Sequence, residues 1–175
     1  DLSGVIEMAY YLGNVRRVGF DLLRGQGRGG TVQSARAEDV ARAMTQVFAL
    51  NRRLGSLRGR PITITQADQA ACLARRSDCG FSHCHAMNGA GAHVDPVGNI
   101  YACSSFVGDA RFLLGNVKQG IYERRQKELA HEMQNAMAFC RVCADFSVCG
   151  GACYARGVER SAPYMPECAL KRAAI

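Results

Sequence analysis

Four cysteines within fourteen residues, in the stretch CRVCADFSVCGGAC from Cys140 to Cys153, constrain this chain more than any other feature. They are spaced C-x2-C-x5-C-x3-C, and a fifth cysteine, Cys168, follows after a gap of fourteen residues. Thiols this close in sequence either form disulfides with one another or bind metal. The pair Gly150–Gly151 inside the run predicts a tight turn, because glycine adopts left-handed backbone angles at little steric cost.

The cysteine count favours metal-bound thiolates over a disulfide scaffold. The chain has nine cysteines, an odd number, whereas a secreted domain stapled by disulfides typically has an even number and a signal peptide. The first residues, DLSGVIEMAYYLGNVRR, do not read as a signal peptide. We therefore expect a reducing, cytoplasmic compartment. The absence of a long apolar run also argues against a membrane span.

The net charge of +7 does not predict nucleic-acid binding. The basic residues are scattered along the chain and are not interleaved with aromatic residues, as they are on many nucleic-acid-binding surfaces. The apolar fraction of 48% is sufficient for an ordinary hydrophobic core. We expect a solvated basic surface, part of whose charge anionic metal–thiolate centres would offset.

Residues 1–70 predict a strand–helix–strand unit, which is typical of parallel α/β folds. The apolar periodicity indicates an amphipathic helix over 2–13, a buried strand at Arg17–Leu23, a helix over Glu38–Leu54 that stops at Gly55, a strand at Pro61–Gln66 and a short helix over 67–76. This part is therefore predicted to be an α/β domain.

Residues 71–175 predict a second, small α+β domain that binds metal. A β-hairpin is expected from His93–Val94 and Asn99–Cys103, which flank the turn sequence Asp95-Pro-Val-Gly98. Phe112–Val117 reads as a turn, followed by a helix around 119–138 that leads to Cys140. Cys168 is expected near the start of a short last helix.

The number of cysteines is compatible with two metal sites of four ligands each. Cys72 lies on a predicted helix and is expected to be an ordinary buried side chain. A structural zinc site takes four tetrahedral ligands, and a [4Fe–4S] cluster takes four thiolates. The residues alone therefore leave iron and zinc open. The eight remaining candidates are Cys79, Cys84, Cys103, Cys140, Cys143, Cys149, Cys153 and Cys168.

The full spacing resembles a known signature. From Cys84 the chain reads C-x13-G-x4-C through Gly98 to Cys103, and the C-x2-C-x5-C-x3-C run and Cys168 follow. This is similar to the seven-cysteine signature of the SPASM domain, the C-terminal module of radical S-adenosylmethionine peptide and protein maturases. The similarity covers roughly residues 79–172, and the GNV and CGGAC segments also look like that family.

The resemblance implies two auxiliary [4Fe–4S] clusters. Carried over by position, the first would be bound by Cys84, Cys103 and Cys153, with Cys79 as an upstream fourth ligand. If Cys79 is not a ligand, one iron of that cluster is open to substrate. The second cluster would be bound by Cys140, Cys143, Cys149 and Cys168. The clusters would accept an electron from a substrate radical, or position the substrate.

Residues 1–70 would then resemble the last βαβ portion of the partial (β/α) barrel of a radical S-adenosylmethionine enzyme. The C-x3-C-x2-C motif of the catalytic cluster is absent from all 175 residues. We therefore expect the C-terminal part of a maturase that is inactive alone, with S-adenosylmethionine and a third cluster bound only in the complete enzyme. Its partners would be the missing N-terminal region and a ribosomally synthesised precursor peptide or protein.

One alternative belongs to another class of protein. A zinc-stabilised, cysteine-rich binding module without a redox role would use the same C-x2-C pairs. Zinc can also occupy thiolate sites in an air-exposed fragment that has lost its iron clusters. A disulfide scaffold is the least favoured alternative.

Overall fold

The computed structural model of the chain describes residues 1–23, 32–76, 80–81, 83–157 and 162–175. Cys79, one of the predicted ligands, lies outside these residues. The chain divides into two compact units, one formed by Asp1–Ser77 with Tyr164–Ile175 and the other by Asp78–Pro163. No helix in the described part of the chain has the length and apolar character needed to cross a membrane.

The first unit contains a parallel strand pair connected by a long helix. Its elements are α1 (Leu2–Leu12), β1 (Arg17–Val18), α2 (Ala37–Leu57), β2 (Thr63–Ile64), α3 (Thr65–Leu73) and α7 (Met165–Arg172). β1 and β2 pair in parallel, with Arg17 opposite Thr63 and Val18 opposite Ile64. The predicted strand–helix–strand unit is confirmed, although both strands are shorter than predicted. Its place in a larger barrel stays a prediction.

The predicted end of α2 at Gly55 is wrong, since the helix continues to Leu57. Gly55 is instead explained by packing. A Cβ atom at this position would lie 2.6 Å from the Cα of Pro61, so only glycine lets the chain that enters β2 pass this close. The hydrophobic core of the first unit (the first core) lies on the same side of α2. Met44 and Val47 belong to it and are fully buried.

The C-terminal helix α7 belongs to the first unit. It packs against α2, and Leu170 is buried in the same core as Ile6 and Met44. The sequence-based division placed this helix with the cysteine-rich residues 71–175, because Cys168 lies on it. The apolar face of the helix decides its packing instead, and the second unit ends at Pro163.

The second unit is built on a four-stranded antiparallel sheet in the order β3–β4–β5–β6. Its elements are β3 (His93–Val94), β4 (Asn99–Tyr101), β5 (Leu113–Asn116), β6 (Gly120–Ile121), α4 (Glu123–Ala136), α5 (Phe146–Cys149) and α6 (Tyr154–Gly157). The predicted β3–β4 hairpin is confirmed, with His93 opposite Tyr101.

The predicted turn at Phe112–Val117 is wrong, because most of it forms the inner strand β5. The Gly115–Asn116 pair is typical of a turn. However, Leu114 is fully buried in the hydrophobic core of the second unit (the second core), which also contains Met87 and Met133. Pairing with β4 on one side and β6 on the other satisfies the backbone groups of β5. Tertiary packing therefore outweighs the local turn signal.

Candidate metal centre

Cys84 lies at the start of a series of tight turns that are anchored in the second core. Its N–H donates to the carbonyl of Phe81 at 3.1 Å, and its carbonyl accepts from the N–H of Asn88 at 2.9 Å. Met87 is fully buried, and its carbonyl accepts a hydrogen bond from Gln134 of α4 at 2.7 Å. These contacts fix the backbone on both sides of Cys84.

Cys103 lies two residues beyond the end of β4. The preceding residue, Ala102, is buried and donates its N–H to the carbonyl of Phe112 at 3.1 Å. The carbonyl of Cys103 accepts from the N–H of Phe106 at 3.0 Å and starts a 3-10 turn over Ser104–Phe106. The hairpin therefore delivers Cys103 to the edge of the second core.

The Cys140–Cys153 run folds into successive turns with short helices. The N–H of Cys143 donates to the carbonyl of Cys140 at 3.1 Å, so the two ends of the C-x2-C pair lie on one turn. Gly150 caps the C-terminus of α5, and both Gly150 and Gly151 have positive φ, 71° and 84°. The tight turn predicted for the glycine pair is confirmed. Cys153 lies two residues after Gly151 and immediately before α6.

Gly91 brings the Cys84 and Cys103 segments into backbone contact. A Cβ atom at Gly91 would lie 2.1 Å from the carbonyl oxygen of Ala102 and 3.1 Å from the Cα of Ala86. Ala86 is two residues from Cys84, and Ala102 is adjacent to Cys103. Only a residue without a side chain allows these two segments to approach so closely.

Gly151 brings the Cys153 segment to the Cys84 segment. A Cβ atom at Gly151 would lie 2.6 Å from the ring of Phe81, which is three residues before Cys84. The same ring packs edge-on against Phe146, with ring centroids 5.1 Å apart. Phe81 therefore contacts both the turn before Cys153 and the helix that ends in Cys149.

An aromatic cluster joins the Cys103 and Cys153 segments. Phe106 stacks on Phe112 at a centroid distance of 3.9 Å, and Tyr154 packs edge-on against both rings, at 5.8 and 6.0 Å. Tyr154 is adjacent to Cys153, and Phe106 is three residues beyond Cys103. The segments that carry Cys84, Cys103 and Cys153 are thus in contact pairwise, through Gly91, Gly151 and this cluster.

The structure brings these segments together without gathering the sulfur atoms. No three Cys, His, Asp or Glu side chains within the described residues are arranged so that they could hold one metal ion. Cys140 is buried, whereas the other described cysteines of this unit (Cys84, Cys103, Cys143, Cys149 and Cys153) are partly exposed. The structure joins no two of the described cysteines by a disulfide.

Two of the other cysteines lie in the first unit. Cys168 is on α7, where its N–H donates to the carbonyl of Tyr164 at 3.2 Å, close to the predicted helix start. Cys72 is on α3 and is exposed, so the prediction that it is an ordinary buried residue is wrong. It lies on the solvent side of the helix, whereas Leu73 is buried.

The donor set suits a thiophilic metal or an iron–sulfur cluster. The six described cysteines of the second unit lie in turns or at element ends, where a side chain can reorient without loss of helix or sheet hydrogen bonds. Metal binding often orders such segments, because a fully preformed site rarely exists before the metal binds. The residues present therefore fit a thiolate-bound centre by their chemistry and by the convergence of their segments.

Charged and polar groups close to these segments stabilise their shape. The guanidinium of Arg141 lies over the ring of Phe81, 5.6 Å from its centroid, and donates to Gln134 at 3.0 Å. Burial raises the pKa of the Tyr154 hydroxyl, and the charge of Arg111 opposes part of this increase. Tyr154 is therefore neutral at physiological pH and packs as an aromatic ring.

Asp95 fixes the turn of the β3–β4 hairpin that leads to Cys103. Its carboxylate accepts the N–H groups of Val97 at 3.0 Å and Asn99 at 2.8 Å, and the hydroxyl of Tyr101 at 3.3 Å. Burial alone would raise the pKa of this carboxyl, but these hydrogen bonds outweigh it and hold the pKa below its ordinary value. The stabilisation is thus complete above the ordinary pKa and is lost as the pH falls through the lowered one.

Sequence reasoning missed the residues that bring the segments together. Gly91 lies in the loop-like GAGAH, which carries no periodic signal. A usable signal does exist, since an aromatic residue lies within three positions of each of Cys84, Cys103 and Cys153. Aromatic rings at these positions predict packing next to each cysteine.

Comparisons with protein families, with characterised proteins and with solved structures found no match for this chain.

Proposed function

We propose that the unit Asp78–Pro163 carries auxiliary [4Fe–4S] centres of a radical S-adenosylmethionine maturase that modifies a ribosomally synthesised peptide or protein in the cytoplasm. The observation that supports this most is the pairwise contact of the Cys84, Cys103 and Cys153 segments, which are 19 and 50 residues apart in sequence. The resemblance assigns these three cysteines to one cluster, and the packing draws their segments to one place.

In this proposal, the chain supplies thiolates on a backbone that packing and hydrogen bonds hold in place. Cys84, Cys103 and Cys153 would hold the first cluster, and Cys140, Cys143 and Cys149 would contribute to the second. Such clusters supply one-electron transfer, and hydrogen bonds to sulfur and burial set their reduction potential. Cys79, outside the described residues, and Cys168, on α7, remain predicted fourth ligands.

Two of the proposed ligands of the first cluster pack against the second core, which would hold their backbone in position. Cys84 and Cys103 both pack against a cluster that includes Met87, Leu114 and Met133, each almost completely buried. The backbone around these cysteines is already fixed by packing and hydrogen bonds. The cysteines would therefore lose little backbone freedom when metal binds. Side-chain rotation then remains as the main change.

Cysteine substitutions test the assignment of ligands to centres. In protein purified without oxygen, Cys149→Ala is expected to lose one centre, about four irons per chain, and Cys103→Ala the other. Cys84→Ala combined with Cys103→Ala should lose no more iron than Cys103→Ala alone, because both belong to one centre. Cys103→Ala combined with Cys149→Ala should lose both. Iron and sulfide content per chain, with electron paramagnetic resonance of the reduced protein, provides the measurement.

Cys72→Ala is the matched control, since Cys72 is exposed on α3 in the first unit. It is expected to leave iron content and spectra unchanged. The ligand assignment fails if Cys149→Ala and Cys103→Ala both retain full iron, or if Cys72→Ala loses as much iron as either. A full complement of zinc in place of iron would favour the zinc-stabilised binding module instead.

A further inference from the structure

The first unit contains a cavity of about 480 Å³ that the cysteine chemistry does not use. This volume falls in the range of small-molecule sites, roughly 300–1,000 Å³. The cavity lies where α1 and α2 end and the chain enters β2. Its lining residues are Ala9, Tyr10, Gly13, Val15, Arg16, Arg58, Arg60, Pro61, Ile62 and Thr63.

Among the described residues, three arginines and no carboxylate line this cavity. In the described part of the chain, none of Arg16, Arg58 and Arg60 forms an ion pair. Other arginines of the same unit do, since Arg17 contacts Asp68 at 2.7 Å. The described lining of the cavity therefore concentrates positive charge without a carboxylate to balance it.

The negative C-terminal ends of two helices offset only part of this positive charge. α1 and α2 both end beside the cavity, and a helix C-terminus carries about half a negative charge. Arg16 compensates one of them directly, because its Nη1 donates to the carbonyl of Gly13 at 2.9 Å. Three guanidiniums against two such ends leave an excess of about two positive charges.

The floor of the cavity is rigid. The hydroxyl of Tyr10 donates to Oδ1 of Asn51 at 2.9 Å and accepts the N–H of Ile62 at 3.1 Å. The Nδ2 of Asn51 donates to the carbonyl of Ile62 at 2.7 Å. All three residues are buried, so the network fixes α1, α2 and the start of β2 against one another.

We propose that this cavity binds the phosphate group of a small phosphorylated molecule. A phosphate monoester carries about −1.5 to −2 charges at neutral pH, which matches the excess of about two positive charges. The planar guanidinium donates two parallel hydrogen bonds to phosphate oxygens, which favours arginine at such sites. The cavity is larger than one phosphate ion, so there is room for the esterified part of the ligand.

Isothermal titration calorimetry at low salt tests the proposal with inorganic phosphate, glycerol phosphate and acetate as probes. Both phosphates are expected to bind and acetate to bind at least tenfold more weakly, because its single charge matches the site less well. Tighter binding of glycerol phosphate supports a phosphorylated molecule as the ligand, and tighter binding of inorganic phosphate overturns this in favour of the free ion. Arg58→Gln and Arg60→Gln should each weaken phosphate binding about tenfold.

Arg52→Gln and Arg53→Gln are the matched controls. Both arginines are exposed on α2 and do not line the cavity, so they remove the same charge elsewhere. Less than about a twofold loss of phosphate binding is expected, since exposed charges at a distance are screened. The proposal is overturned if the unsubstituted protein does not bind phosphate, if acetate binds equally well, or if control and cavity variants weaken binding alike. Iron content reports on the cysteine sites separately, so neither result depends on the other proposal.

Discussion

Gly91→Ala is expected to lower the free energy of unfolding of the second unit by about 3 kcal/mol. The added Cβ would lie 2.1 Å from the carbonyl oxygen of Ala102 and 3.1 Å from the backbone N and Cα of Ala86. These are backbone atoms, which cannot rotate away as a flexible side chain could. The Cys84 and Cys103 segments must therefore separate. Amide hydrogen exchange in β4 and β5 reports the loss for this unit specifically.

Gly80→Ala is the control for this substitution. Gly80 is exposed, and among the described residues no atom outside its chain neighbours lies within 4 Å of its ideal Cβ position. Its expected change is within about 0.5 kcal/mol, as for other exposed sites. Gly91→Ala should also reduce iron at the centre assigned to Cys84 and Cys103. Equal effects of the two substitutions would contradict the close backbone approach.

The second large effect is expected from Gly151→Ala, also about 3 kcal/mol. Two costs combine at this site. The φ of 84° is left-handed, which costs an alanine about 1–2 kcal/mol. The Cβ would also lie 2.6 Å from the ring of Phe81, and such overpacking typically costs about 1–3 kcal/mol. The turn before Cys153 is then expected to move away from the Cys84 segment, as measured by hydrogen exchange and iron content.

Gly120→Ala separates the two costs. Gly120 has nearly the same φ, 82°, but no atom of the described chain beyond its two neighbours lies within 4 Å of its Cβ position. It should therefore show only the backbone cost. Adding Phe81→Leu to Gly151→Ala should recover part of the lost stability, because the smaller side chain relieves the contact. If Gly151→Ala and Gly120→Ala cost the same and Phe81→Leu gives no recovery, Phe81 does not fix this turn.

Features with strong local signals were predictable from the sequence. The β3–β4 hairpin follows from the turn sequence Asp95-Pro-Val-Gly98 between two extended pairs, and its bounds agree closely. α1 ends at Gly13, which has a left-handed φ of 71°, as the helical pattern indicated. The parallel pairing of β1 with β2 also follows from strand–helix–strand order.

Features that depend on distant residues were not predictable in the same way. β5 carries a turn-like Gly-Asn pair, and only its neighbours β4 and β6 make it a strand. Gly55 has the signature of a helix stop, but its role is to let Pro61 pass. In the candidate site, the family resemblance predicts which cysteines share a centre, and that grouping stays a prediction. The resemblance could not predict that Phe81, Phe106 and Tyr154 hold their segments in contact, because those contacts exist only after folding.

The measurement that tests the central claim most directly is iron, sulfide and zinc content per chain, on protein purified without oxygen. If the protein binds two four-iron clusters through its thiolates, about eight irons and eight sulfides per chain are expected. One or two zinc ions without sulfide, persisting after attempted cluster reconstitution, would contradict the central claim and leave a zinc-stabilised binding module.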